Sequence, residues 1–535
     1  MNPEKNSNKN RPEVTLDSLY RIFTIPENHN STLAKIEGEI SKNLNGFLKD
    51  HIVAEQTNPS VLEKDFLSSE IPEEPIFVSE QAEFLLTKVV ARSVHTSSPS
   101  FVGHMTSALP YFMMPLAKIM IALNQNLVKT ETSKAFTPLE RQVISMLHRL
   151  VYDKADEFYD SYSHSASHAL GALCSNGTIA NITSLWVALN RLLPKNEQFE
   201  GVGDEGLFRA VAHYGYKDLA ILVSKRGHYS LSKAANLLGI GRKNLIAIDT
   251  KENNKIDLDR LSAKITELKE QNIGIVAVVG IAGTTETGNI DPLEELAEIC
   301  KVHNLHFHVD AAWGGPTLFS NTYKYRLKGI EKADSVTFDA HKQLYVPVGA
   351  GIALFKDNES LNLIQHHAEY IIRKGSRDLG RKTLEGSRPG MALLIHSGLH
   401  IIGRGGYEML INMGIEKAQA FAQLIKEQDD FELVTEPELN LLTYRYIPES
   451  MDPRSQESKD KVIEINNKLN ELTVSIQKEQ RDSGKTFVSR TTLEPLRYQG
   501  QKITVFRVVL ANPLTRIDVL NEILEEQRKI SKKFL

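Results

Sequence analysis

Two short stretches hold residue types whose combination does chemistry. In DSVTFDAHKQLYVPVGAG, residues 334–351, a strand-like apolar approach (Val336, Phe338) runs into an Asp-Ala-His turn and then Lys342. Upstream, the sequence from His308 to Gly315, HVDAAWGG, is an apolar strand that ends on Asp310 and passes into small residues and glycines. A lysine amine just past one strand and a carboxylate at the end of another are the pair that pyridoxal 5'-phosphate (PLP) chemistry requires. The amine condenses with the cofactor's aldehyde, and the acid pairs with the pyridinium nitrogen so that the ring draws in electrons.

Elements that could position such a pair begin near Gly171. Strands are predicted at Ala220–Val223, Leu245–Ile248, Ile275–Val279, Phe307–Val309, Ser335–Phe338 and Gly351–Phe355. Helical periods fall between them at Ile179–Leu193, Leu231–Leu238, Asp257–Glu270 and Leu293–His303. Strand, helix, strand at this spacing predicts an α/β domain with a mostly parallel sheet covered on both faces. Ligands of such sheets collect outside the carboxyl ends of the strands. Ser175-Asn176-Gly177-Thr178, before a predicted helix, places a glycine and a hydroxyl where free N–H groups and the helix dipole attract an anion. That is the candidate phosphate cradle. His228, in Gly227-His228-Tyr229, could lie on a flat ring, and Thr285, in Gly283-Thr284-Thr285, could bond to a cofactor.

The rest of the chain frames this domain. At 535 residues it is long enough for two or three domains. A formal net charge of −4 and no basic cluster argue against nucleic acid and against a charged membrane surface. Two cysteines, Cys174 and Cys300, form neither a disulfide framework nor a zinc site, which fits a reducing cytoplasm and no metal. The opening MNPEKNSNKNRPE lacks the apolar core of a signal peptide, and the apolar run 109–128 is interrupted by Pro110, Pro115 and Lys118. The expected division is a disordered tail at 1–15, an N-terminal helical segment at 16–115, a large PLP-binding domain at 116–397 and a small α+β domain at 398–535. Helices are expected at Leu116–Leu127 and Leu139–Val151, with Thr137-Pro138 as N-cap and first helical residue. The small domain is predicted from strands at Leu433–Val434, Leu441–Tyr446 and Thr504–Leu510, with a flexible loop at 449–461.

Five motifs in order, SNGTIAN, RGHYS, AGTTETGNIDPL, FHVDAAWGG and DSVTFDAHKQLY, resemble the group II PLP-dependent amino acid decarboxylases, over roughly residues 95 to 515. The resemblance implies an aspartate aminotransferase-like fold (fold type I) and a homodimer with the active site at its interface. It implies Lys342 as the Schiff-base lysine with His341 beside it near the phosphate, Asp310 against the pyridine nitrogen, Ala312 against the ring face and His228 stacked on the ring. Thr285 falls in the cofactor pocket, and Gly177 and Thr178 on the phosphate. Tyr370, in HHAEYII, matches the tyrosine that returns a proton to Cα from a loop extending to about Gly386. Several members have asparagine where this chain has Asp339; a carboxylate repels a phosphate, so Asp339 is expected to turn away.

For the substrate, Arg507 in ITVFRVVLANP resembles an arginine that meets a carboxylate. His104 and Thr106, in FVGHMTSALP, resemble a region that contacts the substrate's acidic side chain, with His104 in place of a glutamine. The phrases FVGHMTSALP, DAHKQLYVPVGAG and TLEGSRPG look most like members that convert aspartate to β-alanine. Aspartate therefore ranks first, glutamate second and aromatic amino acids third. Arg388, in GSRPG, either touches substrate or braces its loop. A PLP lyase or aminotransferase would share Asp310 and Lys342 but lack the Tyr370 loop, and a non-catalytic binder would have lost one of the pair.

Overall fold

The structure, a computed structural model, describes residues 32–48, 53–56, 59–367, 375–456 and 458–535. The expected tail at 1–15 lies outside them. The chain divides into two compact units. One comprises Met1–Val102, Val474–Val488 and Leu514–Leu535, and the other Gly103–Thr473 and Ser489–Pro513. In the first, helix Val78–Phe84 is preceded by residues 67–77, which form no helix. Pro72 and Pro75 both lie in that stretch, and each biases its predecessor away from helix.

The second unit contains both sheets. The larger has seven strands: β1 (Gly171–Cys174), β2 (Asp218–Ser224), β3 (Leu245–Ile248), β4 (Ile273–Ile281), β5 (Phe307–Asp310), β6 (Ser335–Asp339) and β7 (Gly351–Phe355). Their order is β1-β7-β6-β5-β4-β2-β3. β2 is parallel to β3 and β4, β4 to β5, and β5 to β6. β7 is antiparallel to both β6 and β1, so six strands run one way and only β7 runs against them. The interior strand β4 reads IGIVAVVGI and is buried beyond its first residue, as a strand covered on both faces must be. Each such Val or Ile contributes about 1.5–3 kcal/mol relative to an exposed one. The edge strand β3 is mostly only half-buried.

The six predicted strands and four predicted helices of this layer are present. The sequence reading missed β1, GALC, because four residues with a glycine carry no alternation. Helix Phe136–Tyr152 starts before the expected Thr137 cap. Its N-cap is Ala135, and Pro138 falls in the first turn, where a missing N–H costs nothing. The expected helix at 116–127 spans Met113–Leu123.

The smaller sheet is antiparallel in the order β10-β11-β9-β8, from β8 (Phe431–Thr435), β9 (Leu441–Tyr446), β10 (Ser489–Leu493) and β11 (Ile503–Val509). β10, SRTTL, was invisible in sequence because its outward residues are polar. The expected loop at 449–461 instead holds two short 3₁₀ turns and the start of helix Lys459–Ser483.

Helix Gly177–Leu192 packs against β4, β6 and β7. At its far end Arg191 is pinned by Asp334 and Asp357, each at 3.2 Å, and by Ser360 Oγ at 2.9 Å.

Candidate active site

Because six strands share a direction, the loops after β1, β2, β4, β5 and β6 open on one edge of the sheet. They enclose a cavity of about 420 Å³ whose lining includes Gly177, Thr178, His228, Thr285, Asp310 and Lys342. Ala312, His341 and Asp339 line it as well. This size suits a small cofactor.

Asp310 ends β5, 7 % exposed. Its Oδ1 accepts the Ala312 N–H at 3.2 Å and its Oδ2 accepts from Asn181 Nδ2 at 2.9 Å. Asn181 lies in the second turn of helix Gly177–Leu192, and its Nδ2 also donates to Ser230 Oγ at 3.0 Å. Its Oδ1 accepts from His308 Nε2 at 3.0 Å, and His308 Nδ1 meets Ser335 Oγ at 2.9 Å. Burial pushes His308 down to about 4, against the opposing pull of Asp310, so the imidazole in this chain of bonds is neutral at neutral pH. Sequence reading missed Asn181, His308 and Ser230. Asn181 was in view within SNGTIAN, but only the fold puts it against a carboxylate 129 positions away.

His228 caps helix Tyr229–Leu237, its Nδ1 accepting from Ser230 N at 3.3 Å and meeting Ser230 Oγ at 2.9 Å. That bonding puts the ring proton on Nε2. Burial lowers its pKa, Asp310 opposing and Lys342 reinforcing the shift, so the ring is uncharged. Two residues before it, Arg226 lines the same cavity and joins Glu286 at 2.9 Å and Asn254 at 3.0 Å. The His228 and Thr285 loops are thereby tied together.

Asn176 caps helix Gly177–Leu192, its Oδ1 accepting from Ile179 N at 3.1 Å. Among the described residues the N–H groups of Gly177 and Thr178 donate to nothing. The helix therefore presents two free donors to the cavity. Gly351, at the start of β7, lets the cap loop come close, since a Cβ there would collide with the Asn176 backbone.

Asp339 departs from expectation. It does not turn away: its Oδ2 lies 3.1 Å from Lys342 Nζ and 3.7 Å from His341 Nε2. A Cβ on Gly177 would stand 2.6 Å from that oxygen, so the carboxylate rests against the helix start. Its Oδ1 is buried with no hydrogen-bond partner. Lys342, three residues on, attracts the carboxylate into the pocket.

Arg507, on β11, is 8 % exposed. Its Nε donates to the Thr285 carbonyl at 2.6 Å, and its Nη1 to the Gly103 carbonyl and Ser489 Oγ, both at 3.2 Å. These acceptors are neutral, and burial lowers its pKa to about 10, with Glu286 opposing. His104 Nδ1 accepts from Thr106 N at 3.2 Å and meets Thr106 Oγ1 at 3.0 Å. Burial lowers its pKa, helped by Arg507, Lys342 and His341. Arg388 is taken up by a two-pronged pair with Glu140, both contacts at 2.5 Å, so it braces its turn. Tyr370 lies outside the described residues.

The residues fit PLP: an amine, a carboxylate, a neutral imidazole and two unpaired N–H groups at a helix start surround one cavity. The comparisons agree. Residues 64–447 match the pyridoxal-dependent decarboxylase conserved domain. The chain is 61 % identical over 520 residues to an aspartate 1-decarboxylase of Aliivibrio fischeri, covering 97 % of this chain and 95 % of the relative. It is 28 % identical over 456 residues to the acidic amino acid decarboxylase GADL1 of Xenopus tropicalis, covering 84 % and 82 %. The fold superposes on crystalline mouse CSAD with a TM-score of 0.79 at 24 % identity, covering 92 % and 98 %. A match spanning this much of the chain leaves no other assignment: the protein belongs to the pyridoxal-dependent decarboxylase family and is a PLP-dependent carboxy-lyase.

Proposed function

We propose that the chain removes the C1 carboxyl group of L-aspartate, yielding β-alanine and CO2. The observation that carries this reading is the 61 % identity, over nearly the whole of both chains, to a protein named for that activity. The GADL1 relative, named for acidic amino acids, points to the same substrate class.

When bound, PLP supplies a ring that accepts the electron pair left at Cα as CO2 departs. In our reading Lys342 would hold the cofactor through its ε-amine. Asp310, oriented by Asn181, keeps the ring nitrogen protonated because an opposite charge close by favours the charged form. His228, uncharged, would stack on the ring, and Ala312 would pack against the ring face. The Gly177 and Thr178 N–H groups take the phosphate, with His341 and Thr285 beside it. Tyr370 returns the proton to Cα. Arg507, held by three neutral acceptors, receives a substrate carboxylate, and His104 and Thr106 line the side-chain end.

We further read the enzyme as a cytoplasmic homodimer whose two active sites lie at the subunit interface. Leu109, Tyr111, Ile119, Ile121 and Leu123, all exposed on the segment around helix Met113–Leu123, supply an apolar surface for that contact.

The test is CO2 release by purified, PLP-loaded protein from a panel of Asp, Glu, Tyr, Dopa and 2,4-diaminobutyrate. Aspartate should turn over fastest, with β-alanine formed in equal amount to CO2. Lys342→Ala should lose both the reaction and the visible absorbance of the lysine-bound cofactor. Faster release from any other amino acid would overturn the assignment.

A further inference from the structure

The Asp339 carboxylate stands where the proposed function puts an anion. It lies against the start of a 16-residue helix whose first N–H groups are free, beside Lys342 and His341. One of its oxygens, Oδ2, is engaged by the lysine. The other, Oδ1, is buried, in a residue 3 % exposed, and accepts from nothing. A buried acceptor without a donor costs about 1–3 kcal/mol, so the site is completed by a group that brings a proton to it.

A phosphate monoester supplies such a group in one protonation state only. As the dianion it has acceptors alone and would repel Asp339. As the monoanion it has one O–H, which donates to a carboxylate while the remaining oxygens accept from backbone N–H groups. We propose that Asp339 binds the cofactor phosphate through a shared proton, O–H from phosphate to Asp339 Oδ1, so that loading the cofactor takes up one proton from solvent. This rests on the reading of Gly177 and Thr178 as the phosphate cradle. The second ionisation of a phosphate monoester lies at about pH 6, so above that pH binding must recover the proton the free ligand has lost. Affinity then falls by about tenfold per pH unit from this source alone.

Other groups that face Asp339 also carry or change charge. Lys342 and His341 lie on its own turn, and His228, Asp310, Arg226 and Lys233 line the remainder of the cavity. Their titration contributes to any slope in the wild-type protein. The quantity that reports the shared proton is the difference between wild type and Asp339→Asn, since an amide can donate to the dianion and needs no proton from it.

The experiment is calorimetric titration of the cofactor-free chain with pyridoxine 5'-phosphate, from about pH 6 to about pH 9. This ligand has the ring and phosphate but an alcohol in place of the aldehyde, so Lys342 cannot condense with it. Repeating each titration in two buffers of different ionisation enthalpy counts protons. At about pH 8 the wild type should take up roughly one proton more per ligand than Asp339→Asn, and its affinity should fall about tenfold more per pH unit. Equal proton counts and parallel slopes would overturn the proposal. Thr178→Pro, which deletes one cradle N–H at a first-turn position where proline is tolerated, separates the two readings. Weakened binding by Thr178→Pro with equal proton counts in wild type and Asp339→Asn removes the shared proton but keeps the cradle, whereas unchanged affinity in Thr178→Pro removes the cradle and the proton together.

Discussion

Asn181 donates to Asp310 Oδ2 at 2.9 Å, and with the Ala312 N–H it is one of two donors that hold this carboxylate in the cavity. Asn181→Ala removes a hydrogen bond to a charged group, worth about 1.5–3 kcal/mol. If Asp310 acts through its orientation, kcat/KM should drop about ten- to hundredfold, with the absorbance of the bound cofactor shifted as its ring protonation changes. An unshifted spectrum with normal kcat/KM would leave Asn181 a packing residue.

Gly177→Ala would place a methyl group 2.6 Å from Asp339 Oδ2. Inserting one carbon into a filled site costs about 1–3 kcal/mol. Cofactor dissociation, followed by the return of tryptophan fluorescence, should be faster by about tenfold or more. Asp339→Ser in the same chain, which shortens the obstructing side chain, should recover part of the loss.

Arg388 and Glu140 form a buried pair with 2.5 Å contacts. Replacing Arg388 by Met leaves an uncompensated carboxylate and should lower unfolding free energy by about 3–5 kcal/mol. A Glu140→Gln change in that background should restore most of it. Denaturant titration of the single and double variants checks both values.

His148 is fully buried, its ring nitrogens 3.0 Å from Tyr159 Oη and from the Phe355 carbonyl. Burial lowers its pKa from 6.5 to about 4, with the Phe355 bond opposing. The folded value lies below the unfolded one, so between these pH values the unfolded chain binds the extra proton. Stability from this residue is present above about pH 6.5 and is lost as pH falls towards 4, by an amount on the order of 3 kcal/mol. His148→Gln should therefore show a shallower decline in melting temperature over that range than the wild type.

Much of the catalytic edge was legible because its residues terminate strands. Asp310 and Lys342 follow apolar runs, and the loops holding His228 and Thr285 follow two more, so a parallel sheet brings all four to one edge. Short or polar elements were not legible: β1 is too brief to show a period, and β10, SRTTL, has a single apolar residue. Partnerships across the sheet were also hidden. Nothing in SNGTIAN says that Asn181 will meet Asp310, because that contact depends on the helix packing over β5. The orientation of Asp339 follows the charge of Lys342, three residues on, and not that of a ligand alone. Arg507 is buried, and its partners are two carbonyls and a hydroxyl, which no local pattern announces.

The clamp on Arg191 gives the helix Gly177–Leu192 a fixed end about 15 Å from Asn181. Because one rigid rod carries both the free N–H groups at its tip and the carboxylate's amide partner, sliding it would disturb both simultaneously. A variant that loosens this remote anchor should thus behave like an active-site mutant while touching no ligand. Directed evolution for altered cofactor retention therefore has a handle well outside the reaction chamber.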